Sequence, residues 1–185
     1  CGKGEWYDQH NACLSYGPVT ARALHAQYTL TAVSGIGLMH SCCKMDVVMP
    51  RVFDKVSTRE NKIVWDFRKY QPDIVTICLG QNDGAQDSAA FCKTYLDFIA
   101  VIRKVYPGTQ IIVLTSPMAS ESLKAVMVKY LDAIVKFQHQ QGDSRVHFYP
   151  FSKRYHAGCG GHPTVSEHRE IAGELTGYIK TLMGW

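Results

Sequence analysis

Short apolar runs alternate along this chain with longer stretches in which apolar residues return every three or four positions. Four runs have strand length and an aliphatic or β-branched make-up: "YTLTAVSG" (Tyr28 to Gly35), "DIVTICLG" (Asp73 to Gly80), "QIIVLTSP" (Gln110 to Pro117) and "RVHFYPF" (Arg145 to Phe151). Helical periodicity predicts five helices: over Ala12 to Ala26, within Asp46 to Ser57, over Ser88 to Tyr106, over Ser120 to Gln140, and from just after Pro163 onward. The last of these places Ile171, Leu175, Tyr178, Ile179 and Leu182 on one face. Pro163 stands near its start, where a helix best tolerates proline. No repeat and no Pro/Gly/Ser-rich linker divides the series, so residues 1–185 are expected to form one domain.

Strand–helix alternation at these intervals predicts an α/β domain with a mostly parallel sheet and helices on both faces. In the flavodoxin-like strand order 2-1-3-4-5, the first strand lies between the second and the third. Here a loop and a helix precede "YTLTAVSG". If that run is the second strand, a central strand is expected upstream of Cys1, because two buried strand edges without partners are costly. The chain opens on Cys1 without an initiator Met or a signal peptide. It reads as a mature form or a piece of a longer polypeptide.

Composition narrows the classes. At 185 residues, 46% hydrophobic and 19% charged, the chain is long enough for a full core and is not of disordered or fibrous type. The net charge of +4 comes from scattered Lys and Arg, with no basic block, so nucleic acid is not expected as a partner. No apolar run reaches the roughly 18 residues of a membrane span. Seven cysteines without a CxxC pair indicate neither a regular disulfide framework nor a zinc ribbon.

In an open parallel sheet, ligands bind outside the carboxyl ends of the strands. Three such places carry suggestive chemistry: Ser34-Gly35-Ile36-Gly37, Gly80-Gln81-Asn82-Asp83, and Gly160-Gly161-His162-Pro163 before the last helix. Glycine lets a backbone N–H approach a ligand closely. An asparagine amide is a neutral donor that can face a developing oxyanion. A histidine supplies a base near neutral pH. Together they make an oxyanion hole and a general base that lack a nucleophile.

These motifs resemble blocks two, three and five of the SGNH (GDSL-type) hydrolases: Gly35, the "GQND" at Gly80 to Asp83, and the "HP" at His162. "NACLSYGPVTARALHAQYTLTAVSGIGL", "VWDFRKYQPDIVTICLGQNDG" and "GCGGHP" are similar to carbohydrate esterase family 2, which removes acetyl groups from polysaccharides such as xylan and glucomannan. The resemblance implies a three-layer α/β/α flavodoxin-like SGNH hydrolase fold. It implies that Gly35 gives its backbone N–H, and Asn82 its side-chain amide, to one oxyanion. His162 would relay a proton between the nucleophilic serine and the leaving sugar hydroxyl. The reaction is a two-step acyl transfer without metal or cofactor. The family's Gly-Asp-Ser block is absent from the chain, so the first strand and the nucleophilic serine are both expected just upstream of Cys1. Cys159 occupies the place of the family's usual acid, and the resemblance points to a Ser-His dyad whose imidazole is held by a backbone carbonyl. Gly160 and Gly161 stand where bulkier residues are usual, which implies a more open surface beside His162. Trp6 is the expected sugar contact. An upstream β-sandwich domain and a secreted or periplasmic location are further implications.

Each motif also has a plain reading. Gly35 alone is a turn glycine, and "ND" after a strand is a common turn. His162 alone is a residue before a helix; the register of all three favours a site. Asp83 reads as a loop anchor. Cys159 and His162 have C-x-x-H spacing and His40, Cys42 and Cys43 cluster, but without paired spacings or a fourth ligand no zinc site is indicated. His10, His25, His139, His147, His156 and His168 form no usable pattern. Two other functions compete: a carbohydrate-binding module that keeps the fold without the nucleophile, and an esterase acting on a lipid or other acyl ester.

Overall fold

Three short parallel strands carry the sheet: β1 (Ile74–Ile77), β2 (Gln110–Leu114) and β3 (Val146–Tyr149), in the order β1-β2-β3. Ile77 lies opposite Val113, and Val113 opposite Phe148. The computed structural model describes residue 5 and residues 10–58 and 62–185. It divides into two compact units: Thr31–Pro150, and the chain up to Leu30 together with Phe151–Trp185. The class is α/β.

In the larger unit, β2 is the inner strand. Ile111, Ile112, Val113 and Leu114 are fully buried, so both of its faces are covered. Helices α3 (Ser88–Val105) and α4 (Glu121–Gln140) pack on each other, and α4 on β3. Each begins where a side chain satisfies an orphan N–H of the first turn. Asp87 accepts from Ala90 N–H at 2.9 Å, and Ser120 from Leu123 N–H at 3.3 Å. Phe91, Tyr95, Phe98, Ile99 and Ile102 form the buried stripe of α3; Met127, Leu131, Ile134 and Val135 form that of α4. Leu131 has no exposed surface. Leu131→Ala is expected to lower unfolding free energy by roughly 2–5 kcal/mol, the range for a buried leucine that leaves a cavity. Urea denaturation followed by circular dichroism measures it.

The smaller unit pairs α1 (Tyr16–Ala23) with α5 (Val165–Met183). Thr164 and Glu167 form a reciprocal capping box at the start of α5, and Gly184, in the left-handed region, ends it. Ile171, Ala172, Leu175 and Ile179 are its buried face, close to the predicted one, with Tyr178 and Leu182 at its margin.

Two expectations need correction. The run Tyr28 to Gly35 is not a strand: residues 26–33 have no regular structure, and Tyr28 and Leu30 are 47% and 52% exposed. A strand exists only through its ladder, and among the described residues no strand pairs with this run. The same deficit shows on β1. Its far edge carries no described strand, Thr76 is exposed, and Ile74 and Val75 are half-buried, unlike their neighbours on β2. The second correction concerns the early helices. Ala12 to Ala26 resolves into a 3₁₀ turn (Ala12–Leu14) and α1, separated by the extended Ser15. Asp46 to Ser57 yields only the single turn α2 (Met49–Val52).

Candidate active site

The turn after residue 33 is built around Gly35. Its φ of +81° suits glycine, and a Cβ there would collide with the Cys42 Sγ. The Gly35 carbonyl accepts from Cys42 N–H at 2.8 Å. Among the described residues, none is seen to accept from the Gly35 N–H. Behind it, Cys42 and Cys43 form a disulfide between neighbours in sequence, with Cys43 and Lys44 at φ +61° and +62°. Cysteine spacing indicated no regular disulfide framework and did not assign this bond.

The loop after β1 closes on that turn. Asn82 Nδ2 donates to the Ile36 carbonyl at 2.8 Å. A carbonyl can only accept, so the amide is oriented with its second N–H left over. Asp83, buried, anchors the same turn from below. Its Oδ2 accepts from Leu38 N–H at 2.9 Å, and its Oδ1 from Met39 and His40 N–H at 2.6 and 3.0 Å. Three successive backbone donors converging on one carboxylate fix the loop that leads away from Gly35. Gly35 and Asn82 are thus brought to one turn of the larger unit. Beside them the Gln81 Oε1 is buried without a hydrogen-bond partner among the described residues.

His162 belongs to the smaller unit. It is exposed, and its Nδ1 lies 3.1 Å from the Cys159 carbonyl. Because that oxygen only accepts, Nδ1 carries the proton and Nε2 keeps the lone pair in the neutral ring. The loop is held to itself: Gly158 N–H donates to the His162 carbonyl at 2.7 Å, and His162 N–H to the Cys159 carbonyl at 3.1 Å. Cys159 is disulfide-bonded and offers neither an acid nor a thiol. One turn into α5, His168 has another task. Its Nδ1 accepts from Tyr16 N–H at 3.3 Å and its ring stacks on Tyr16. Burial pushes its pKa down, Glu167 opposes the shift and His162 adds to it, so the ring stays neutral and able to accept.

Trp6 lies outside the described residues. Sequence reasoning flagged Gly35, Asn82 and His162 but missed the Cys42–Cys43 bond behind Gly35. The adjacent pair "CC" is the one signal that could have found it. Among the described residues, no helix is long and apolar enough to cross a membrane.

A family model described as GDSL-like lipase/acylhydrolase matches residues 17–175. The cellulase/esterase CelE of Acetivibrio thermocellus is 31% identical over 183 residues, which cover 95% of this chain and 22% of that protein. An acetylxylan esterase/glucomannan deacetylase of Cellvibrio japonicus is also 31% identical over 183 residues, covering 95% of this chain and 50% of that one. The solved structure of a family two carbohydrate esterase from Cellvibrio japonicus superposes with a TM-score of 0.90 at 28% identity, covering all of this chain and 56% of that one. The chain spans half or less of the length of these two curated relatives.

Proposed function

The chain belongs to the GDSL-like lipase/acylhydrolase family, and from that footing we propose that it provides the oxyanion hole and the general base of a serine esterase. Its substrate is an acetylated carbohydrate such as xylan or glucomannan. The observation that carries this reading is the His162 Nδ1 contact with the Cys159 carbonyl, which leaves Nε2 basic. A serine hydroxyl gives its proton to His162 Nε2 as its oxygen attacks the acetyl carbonyl. The Gly35 N–H and the free N–H of Asn82 hold the resulting oxyanion. Collapse expels the sugar hydroxyl, which takes the proton back from His162. Water then repeats the sequence on the acetyl-serine and releases acetate.

The serine is assigned to a segment N-terminal to residue 1 that also supplies the missing strand. Among the described residues, the far edge of β1 carries no strand, residues 26–33 join no ladder and the buried Gln81 Oε1 has no hydrogen-bond partner, and these observations support such a strand. Disulfides at Cys42–Cys43 and at Cys159 favour an oxidising compartment, consistent with secretion or a periplasmic home.

The test is acetate release from an aryl acetate and from acetylated xylan, on the natural polypeptide after its intact mass and N-terminal sequence are determined. Turnover by a protein with an upstream Gly-Asp-Ser is the expected result. A natural polypeptide that binds xylo- or gluco-oligosaccharides without turnover would make this a binding module instead. Within the active protein, Asn82→Ala is expected to lower kcat by about 10²–10³-fold with little change in KM, the usual loss for one oxyanion donor. Steady-state kinetics on the aryl acetate measures it.

A further inference from the structure

Glu167 does more than an N3 capping residue requires. Its Oε2 accepts from Thr164 N–H at 2.8 Å and lies 3.2 Å from the Thr164 hydroxyl, which completes the box. The same carboxylate reaches across the loop to its other side. Oε1 accepts from His156 N–H at 3.0 Å, and both oxygens take the Ala157 N–H, at 3.3 and 3.0 Å. One side chain therefore grips residues on each flank of Cys159 and His162. Between the two grips the loop has no slack. Gly158 N–H is bonded to the His162 carbonyl, and a Cβ at 158 would press on that same oxygen. The Thr164 N–H above all, then the Ala157 and His156 N–H groups, hold the Glu167 carboxyl below its ordinary range, with burial opposing them.

We propose that Glu167 is the positioning residue of the base: it closes residues 156–164 into a ring that keeps the Cys159 carbonyl on His162 Nδ1. In a Ser-His-Asp triad one carboxylate both orients the imidazole and stabilises its charged form. Here the orienting is divided. The carbonyl sets the tautomer, and Glu167 sets the carbonyl by gripping the backbone on either side of it. This rests on the esterase reading for its purpose, but not for its geometry.

Nuclear magnetic resonance of the chain tests it without any turnover. In the unaltered protein the His156 and Ala157 amides are expected to exchange more slowly than that of Gly160, and His162 to be the Nδ1–H tautomer. Glu167→Gln leaves one acceptor oxygen in place of two, so it is expected to weaken that protection and mix the tautomers. Thr164→Ala removes the helix cap but leaves the His156 and Ala157 bonds, so it is expected to lower Tm while His162 keeps its tautomer. In the polypeptide with the nucleophile, Glu167→Gln is expected to lower kcat about 10²-fold with KM unchanged, the scale of a misplaced catalytic group. Equal effects of the two substitutions on His162, or fast exchange at 156 and 157 in the unaltered protein, would overturn the proposal. An unaltered polypeptide without turnover would overturn the esterase reading and leave the resonance result to decide Glu167 alone.

Discussion

His162→Ala, made in the polypeptide that carries the serine, is expected to lower kcat/KM for acetate esters by about 10⁴-fold or more. The magnitude follows from how the parts of a hydrolytic dyad work together. Without the imidazole the serine hydroxyl is a weak nucleophile, and the sugar oxygen must leave without a proton. What survives is the oxyanion hole and binding, so activity falls steeply but not to that of water. Stability is expected to stay within about 1 kcal/mol, because an exposed side chain leaves no cavity and no buried donor. Single-turnover kinetics alongside thermal unfolding separates the two. A kcat/KM within tenfold of the unaltered protein would remove His162 from the mechanism.

Asp83→Ala is expected to be the most damaging change in the Gly35 turn. The substitution leaves the Leu38, Met39 and His40 N–H groups without their shared acceptor. A buried polar group left unpaired costs about 1–3 kcal/mol. With partial rescue by entering water, the expected loss of unfolding free energy is roughly 3–5 kcal/mol. Activity is expected to fall as well, through the disordered turn rather than through a lost contact with substrate. The contrast with Asn82→Ala is the diagnostic. That change takes one donor from the Ile36 carbonyl and is expected to reduce kcat with the smaller loss of stability, whereas Asp83→Ala leaves three donors unpaired and lowers both steeply. Denaturant unfolding and kinetics on the same samples distinguish them, and an Asp83→Ala protein of undiminished stability would contradict the anchoring role.

The long helices were legible because periodicity, capping residue and stop signal agree in each. For α3, the sequence Asp87-Ser88 marks the start, and Pro107-Gly108 the stop just past Tyr106. The strands at 74, 110 and 146 were legible as runs, though two or three residues too long at their carboxyl ends, where the backbone turns toward the loops. "YTLTAVSG" was misread because strand propensity is local and strand pairing is not. Its residues want a ladder that no described element offers. Among the candidate site residues, Gly35, Asn82 and His162 were picked out as residue types in three loops; only Asn82 follows a described strand. The partner of the imidazole was expected to be a carbonyl, and Cys159 provides one. The reach of Glu167 to His156 was not legible. Three-residue capping spacing announces the box, but nothing in spacing announces a contact ten or eleven residues back.

The pairing of α1 with α5 has a consequence for how the protein comes to fold. Tyr16 meets His168, and Thr20 meets the Ala172 carbonyl, each across 152 positions of chain. Contacts this remote form slowly, since a large loop must close before they give anything back. During synthesis at roughly 5–20 residues per second, α1 waits about 8–30 s for its partner to be made. In that interval its apolar face is open to chaperones or to other nascent chains. The loop that carries His162 lies at the start of α5. The base is thus secured late, after the larger unit's strands and helices have been synthesised.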